Sequence, residues 1–354
     1  QEVTEENLNV LKLAAQSIRT FHESQKQTSW IADVGEGSWA GQLVRPLSRV
    51  GAYVPGGKAV YPSSVLMNVI PARVAGVEEV VLCTPPSSYA RLNHYVLVAA
   101  HLAGASAVFK IGGAQAIAAM AFGTETVPRV DKVVGPGNIY VTTAKRMVYG
   151  QVGIDLLAGP SEVVIVADEK ASPQCVAADL LAQAEHDEQA LAVLVTPVEG
   201  LARGVQEELE RQLSSLDQSE IARRALETMG SIFVVEDLAA AVLLAEEIAP
   251  EHLELLVADP WNLAADIRNA GAIFLGETSP LALGDYLAGP NHVLPTGGAA
   301  RFSSPLGVYD FVKRTNILSC SATGLNGLAE AGARLARLEG LDGHAQSLIA
   351  RCES

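Results

Sequence analysis

Glu79-Val-Val-Leu-Cys83, a helical run over 89–102, then Ala105-Ser-Ala-Val-Phe-Lys-Ile111: this succession decides the fold. Two short apolar runs flanking an amphipathic stretch have the rhythm of a strand, a helix and a second strand parallel to the first. The alternation resumes at Glu162-Val-Val-Ile-Val-Ala167 and continues through apolar runs at 191–195, 232–235, 252–257 and 272–275. Helices are expected in the gaps, near 173–186, 199–215, 237–248 and 261–269. Strands this continuously apolar suit a parallel or mixed sheet covered on both faces. Composition agrees: 49% of residues are hydrophobic but only 5% aromatic, so the apolar mass is Ala, Val and Leu. The expected class is α/β, with two α/β units in one chain.

Outside these series, 5–25 reads as a helix whose apolar positions are Leu8, Leu11, Leu13, Ala15, Ile18 and Phe21. The segment 284–305 reads as a long loop rich in turn residues, a frequent place for function. Beyond it, 325–338 and 344–351 read as two short helices joined at Glu339-Gly340, with Gly340 suited to end the first. At 354 residues the chain is long enough for two substantial cores.

Forty acidic residues against 25 basic ones give a net charge of −15, and no Lys/Arg cluster is denser than Ala144-Lys145-Arg146. Nucleic acid is therefore not an expected partner. The longest weakly polar run, 96–109, is broken by His101 and Ser106 and falls short of the roughly 20 residues of a membrane helix. The four cysteines, Cys83, Cys175, Cys320 and Cys352, show no CxxC spacing and read as free packing thiols in a reducing, cytoplasmic setting. No basic, then apolar, secretory pattern opens the sequence.

The chemistry-bearing residues are scattered. Gln183 and His186 stand three apart near the end of an expected helix, where one face can grip one ion, although such pairs more often cap or face solvent. Glu251-His252 follows Pro250 at the start of an expected strand. There a histidine can take a proton from an alcohol and a carboxylate can polarise water; the bland alternative is a solvated pair. Asp285 and His292 fall in the long loop, and His344 near the C-terminus. Gln, His, Asp and His form a plausible mixed N/O set for a zinc-like ion, which only folding could unite. No HExxH occurs, and His22, His94 and His101 read as surface or packing residues. For a nucleotide, Gly112-Gly113-Ala-Gln115 follows a strand and opens a helix, though G-x-G-x-x-G is absent. The same reading extends to Gly56-Gly57 and Gly135-Pro-Gly-Asn138.

Seven segments occur together and in order: YVPGGKAVYPSSVLMN, IGGAQAIAAMAFGTETVP, DKVVGPGNIYVT, GPSEVVIVAD, LLAQAEHD, PEHLEL and GDYLAGPNHVLPTGGAARFSSPLGVYDF. In these the chain, from about Arg45 to His344, resembles the histidinol dehydrogenase family. The resemblance implies zinc on Gln183, His186, Asp285 and His344, and an active-site pair in Glu251 and His252. It places further substrate contacts on Ser161, His292 and Glu339, and NAD contacts on Tyr53, Gln115 and Asn138. The implied activity is oxidation of L-histidinol through the aldehyde to L-histidine, using two NAD in turn. The implied fold has two Rossmann-like domains with small helical appendages, in an intertwined homodimer where Glu339 and His344 enter the neighbour's site. Its expected partition is 1–52 plus 162–304, then 53–161, then a helical 305–354. The family's longer N-terminal segment helps form the dimer, and this sequence begins inside that region. Three rivals stand beside this reading. One is a relative oxidising another small alcohol such as a sulfonated propanediol, against which Glu339 argues because a sulfonate prefers a cation. The others are a zinc hydrolase using Glu251 as base, and a metal-binding protein that cannot close its site.

Overall fold

The computed structural model describes residues 3–56, 60–86, 91–216 and 218–352. Gly57 and the start of the helix expected over 89–102 lie outside the described residues. The chain divides into two compact units, Gln1–Lys26 with Leu47–Phe311, and Gln27–Pro46 with Val312–Ser354.

The larger unit holds two five-stranded parallel sheets. The first runs Ala107–Lys110, Glu79–Thr84, Arg49–Tyr53, Lys132–Val134, Gly153–Ile154. The second runs Ser231–Val234, Leu191–Thr196, Glu162–Ala167, His252–Leu256, Ala272–Leu275. Each starts in its middle strand, grows to one side, then crosses back to grow on the other, the doubly wound order of Rossmann-like units. Apolar side chains on both faces of every central strand demand cover on both. In the first sheet one face packs on the helix Pro62–Ala75, whose Val65, Leu66, Met67, Val69 and Ile70 are fully buried. The other face packs on Ile117 and Met120 of the helix Gly113–Phe122. In the second sheet the helices Pro173–Ala184 and Leu238–Ile248 cover opposite faces.

The smaller unit is a three-stranded antiparallel sheet of Trp30–Gly35, Ser38–Pro46 and Val312–Ser319, with the helices Ala322–Leu338 and Asp342–Ile349. A Cβ at Gly41 would fall 2.2 Å from the Trp30 carbonyl oxygen, so this close strand pair requires glycine there. Gly340, at φ 75°, ends the first helix in the left-handed conformation.

These boundaries correct the expected partition. The helix Glu5–Glu23 buries Ala14, Ala15 and Ile18 in the core of the first sheet, not the second. Segment 27–46 pairs with 312–319, and Arg49–Tyr53 is the central strand of the first sheet. Nor is 305–354 purely helical. The strand Val312–Ser319 is mostly exposed, so it carries no alternation of apolar residues that sequence could reveal. Two local differences are a helix Ser219–Thr228 that was not anticipated and a shorter helix, Pro260–Ala264, where 261–269 was expected. Among the described residues no helix is long and apolar enough to cross a membrane.

Candidate active site

The helix Leu238–Ile248 ends on Ala249, a buried alanine held in the left-handed region at φ 52°. That abrupt stop, followed by Pro250, delivers Glu251 and His252 to the amino edge of the second sheet's central region. Both are almost fully buried, at 7% and 4% exposure. His252 Nδ1 lies 3.1 Å from the Glu162 carbonyl oxygen, which can only accept, so Nδ1 carries the proton and Nε2 is the basic nitrogen. Nε2 faces Asp285 Oδ1 at 3.6 Å, too long for a formed hydrogen bond but close enough for charge attraction. Burial alone would lower the imidazole; the Asp285 and Glu251 carboxylates and the Glu162 carbonyl outweigh it and raise it to about 9. Glu251 is pushed by burial up to about 7, against the pull of His252 and of the Glu162 N–H.

Asp285 reaches His252 through three local features. A Cβ at Gly284 would lie 2.5 Å from the Phe274 ring, so glycine lets the short helix Leu281–Tyr286 rest on that ring. The ring in turn lies 5.8 Å, centre to centre, from the imidazole of His252. Glu254, two residues along the strand and on the same face as His252, accepts the Leu281 N–H at 2.7 Å and fixes the helix start. Burial and the neighbouring Asp179 carboxylate hold Glu254 up at about 8. Asp285 was expected in a loop; it sits on this helix, too short for the sequence periodicity to show. Burial works to raise its carboxyl, yet His252, His292 and His186 hold it below the usual carboxylate range.

His292 donates from Nδ1 to the Asp285 carbonyl at 2.9 Å and accepts from the Ser64 hydroxyl at Nε2, 3.2 Å away. Burial keeps it below the ordinary histidine value despite Asp285. Its neighbour Asn291 donates to the Met67 carbonyl at 2.7 Å and pins the Gly-Pro-Asn-His turn to the helix Pro62–Ala75. The helix Pro173–Ala184 ends before His186, so Gln183 and His186 share one final turn, not a helix face; the His186 N–H meets the Gln183 carbonyl at 3.3 Å. Gln183 is 1% exposed, and neither Oε1 nor Nε2 has a hydrogen-bond partner. A buried amide left so is out of place unless something else engages it. Among the described residues no three or more His, Cys, Asp or Glu side chains could hold a metal by themselves. Of those types the larger unit contributes only His186 and Asp285 to the expected set, beside the Gln183 amide. His344 and Glu339 belong to the smaller unit, where both are exposed.

Ser161 precedes the strand Glu162–Ala167 at the same amino edge as His252. The other expected positions gather at the opposite kind of edge, the carboxyl ends of the first sheet. Tyr53 ends its central strand, and its hydroxyl accepts the Gly113 N–H at 3.1 Å, two residues before the exposed Gln115. Gly135, at φ 109°, comes so close to Tyr53 that a Cβ would lie 2.0 Å from the Tyr53 carbonyl oxygen. Asn138 caps the next helix, Ile139–Val148, with its side-chain oxygen on the Tyr140 and Val141 N–H groups. Beneath the turn, Asp155 Oδ2 accepts the Gly135 N–H at 2.6 Å and Lys145 Nζ donates to the Gly135 carbonyl at 3.0 Å. Lys145 and Asp155 form an ion pair with side-chain exposures of 3% and 1%. Sequence reasoning missed Ser64, Glu162 and this pair; only the consecutive serines of YPSSV hinted at the first.

A doubly wound sheet with glycine turns at its carboxyl edge, and a second sheet bearing a buried Glu-His pair, define an α/β protein with a candidate acid–base site. Comparison with known proteins narrows the class. Residues 1–352 match the histidinol dehydrogenase family. A histidinol dehydrogenase of Syntrophotalea carbinolica is 56% identical over 99% of this chain and 81% of its own length. One of Geobacter metallireducens is 54% identical over 99% of this chain and 80% of its own. The crystal structure of a histidinol dehydrogenase from Elizabethkingia anophelis superposes with a TM-score of 0.96 at 38% identity, covering 99% of this chain and 81% of that one. The chain belongs to the histidinol dehydrogenase family.

Proposed function

We propose that this NAD-linked oxidoreductase converts L-histidinol to L-histidine through L-histidinal, in the last steps of histidine biosynthesis, with His252 as general base and Glu251 as the group that activates water. The observation carrying this reading is the buried pair itself: an imidazole whose Nδ1 is tied up and whose Nε2 is left without a hydrogen-bond partner, beside a carboxyl raised toward neutrality. In the first oxidation Nε2 takes the hydroxyl proton as hydride leaves the carbinol carbon for one NAD. In the second, Glu251 takes a proton from water as the water oxygen bonds to the aldehyde carbon, and the hydrate anion so formed gives hydride to another NAD, leaving the carboxylic acid. Closing both oxidations in one buried site keeps the aldehyde from solvent.

The unsatisfied Gln183 amide, Asp285 and His186 suit zinc, with His344 of the partner subunit completing the set in an intertwined homodimer. Zinc, when bound, would orient the imidazole and amino nitrogens of the substrate. Ser161, His292 and the partner subunit's Glu339 would add substrate contacts; Tyr53, Gln115 and Asn138 would contact NAD. Free cysteines at all four positions support a cytoplasmic setting.

With zinc-loaded protein and excess NAD, L-histidinol should yield two NADH per molecule consumed. One NADH, with aldehyde accumulating, would remove the water-activating role of Glu251; none would overturn the assignment. Because burial holds Glu251 at about 7, the aldehyde-oxidising step should gain rate as pH rises through about 7, where the carboxyl loses its proton. Glu251→Gln should abolish that limb, read from initial rates started with L-histidinal.

A further inference from the structure

Glu162 makes hydrogen bonds to Glu251, His252 and Gly297 at this edge of the sheet. Its N–H donates to Glu251 Oε2 at 2.9 Å, and its own Oε2 accepts the Glu251 N–H at 3.3 Å, a reciprocal pair across two neighbouring strands. Its carbonyl receives His252 Nδ1, and its Oε1 accepts the Gly297 N–H at 2.9 Å. Thr296, next to Gly297, accepts the Gly159 N–H at 2.6 Å through its hydroxyl. One residue therefore joins the segments 159–162, 250–252 and 296–297. Stability alone would not select a glutamate here. A second carboxylate part-buried against that of Glu251 adds desolvation and repulsion, and a neutral acceptor could hold a loop as well.

Resting on the reading of Glu251 and His252 as the catalytic pair, we infer that Glu162 is a positioning residue for both oxidations, and that it holds the two members by separable means. The main chain fixes the His252 tautomer through the 162 carbonyl and engages Glu251 Oε2 through the 162 N–H, and any residue but proline at 162 would keep both bonds, so what the side chain adds is the hold on the Glu251 backbone. The side-chain carboxylate accepts the Glu251 N–H through one oxygen and the Gly297 N–H through the other, so it fixes the backbone at Glu251 and couples it to the 296–297 turn. Loss of the side chain therefore acts on the water-activating carboxylate more than on the base.

The test compares Glu162→Ala and Glu162→Gln, zinc-loaded, with reactions started separately from L-histidinol and from L-histidinal. Misplacement of a reacting group by an ångström is a large kinetic effect, so with enzyme in excess Glu162→Ala should lower the single-turnover rate constant of NADH formation from L-histidinal about tenfold more than the first-phase rate constant from L-histidinol. Glu162→Gln keeps one acceptor oxygen and should fall between Glu162→Ala and the parent; it also serves if the alanine variant does not fold. The ratio of the two rates does not depend on how much protein is active, so a purely structural role would leave it unchanged. An unchanged ratio in both variants overturns the inference. Glu251→Gln, run alongside, separates this from failure of the underlying reading: if that variant oxidises L-histidinal normally, Glu251 is not the water-activating group.

Discussion

His252→Asn should fold like the parent and lose about 10³-fold in kcat for L-histidinol, the scale of a lost general base. The expectation comes from the two ring nitrogens having different tasks. Nδ1 donates to the Glu162 carbonyl, and an asparagine amide placed at the same branch of the side chain can make that bond. Nε2, left without a hydrogen-bond partner and turned toward Asp285, is the atom proposed to take the proton, and asparagine has nothing there. KM should move by no more than about threefold, because the loss falls on the transition state and not on binding. The profile with pH adds a second reading. The carboxylates hold His252 protonated up to about 9, so the parent's alcohol step should rise as pH increases toward that value. A cation on Asp285 would weaken its hold on the imidazolium and bring the limb lower in the zinc-loaded enzyme. Retention of most of the parent kcat by His252→Asn would take the base's role away from this residue.

Asp155→Ala should be the most destabilising single change near the Gly135–Asn138 turn, by about 3–5 kcal/mol, because it leaves the Lys145 ammonium buried without its counter-charge. The same change frees the Gly135 N–H. Urea denaturation would show the lost stability as a lower midpoint, and titration with NAD would show weaker binding through the loosened Gly135–Asn138 turn. The two effects can be parted. Replacing Lys145 and Asp155 together by apolar residues of similar volume removes the unpaired charge and should restore most of the stability. It cannot restore the bonds to both sides of the Gly135 peptide. NAD affinity should therefore stay low in the double variant. Full recovery of binding would mean that the ion pair supports the core and not the turn.

Much of this architecture is legible from residues alone because parallel strands buried on both faces are written as unbroken apolar runs. Val80, Val81 and Leu82, or Val163 to Val166, admit no other easy reading. The small antiparallel sheet is not written that way. Its strand Trp30–Gly35 is exposed throughout, and its pairing depends on Gly41, whose purpose appears only when Trp30 lies against it. The site divides similarly. Glu251 and His252 stand out as an adjacent pair of the right chemistry, and Gln183 and His186 by their spacing. That Gln183 is sealed from water with both amide atoms unpartnered is a property of packing. Asp285 seemed a loop residue because six helical residues are too few to display a period. Glu162 was hidden in plain view, since at the head of a strand a glutamate ordinarily signals nothing more than a solvated end.

The proposed catalytic pair stands at the amino edge of one sheet and the glycine turns at the carboxyl edge of the other. Two successive oxidations demand a particular order of traffic: spent NADH must depart and fresh NAD arrive while the aldehyde stays where it is. A protein that gripped both molecules with one set of loops would have to loosen its hold on the intermediate each time it opened for the nucleotide. On the proposed roles, the nucleotide would meet the turns of the first sheet while Glu251 and His252 stay held by the strands of the second, so exchange of NAD would not require the groups that face the aldehyde to let go.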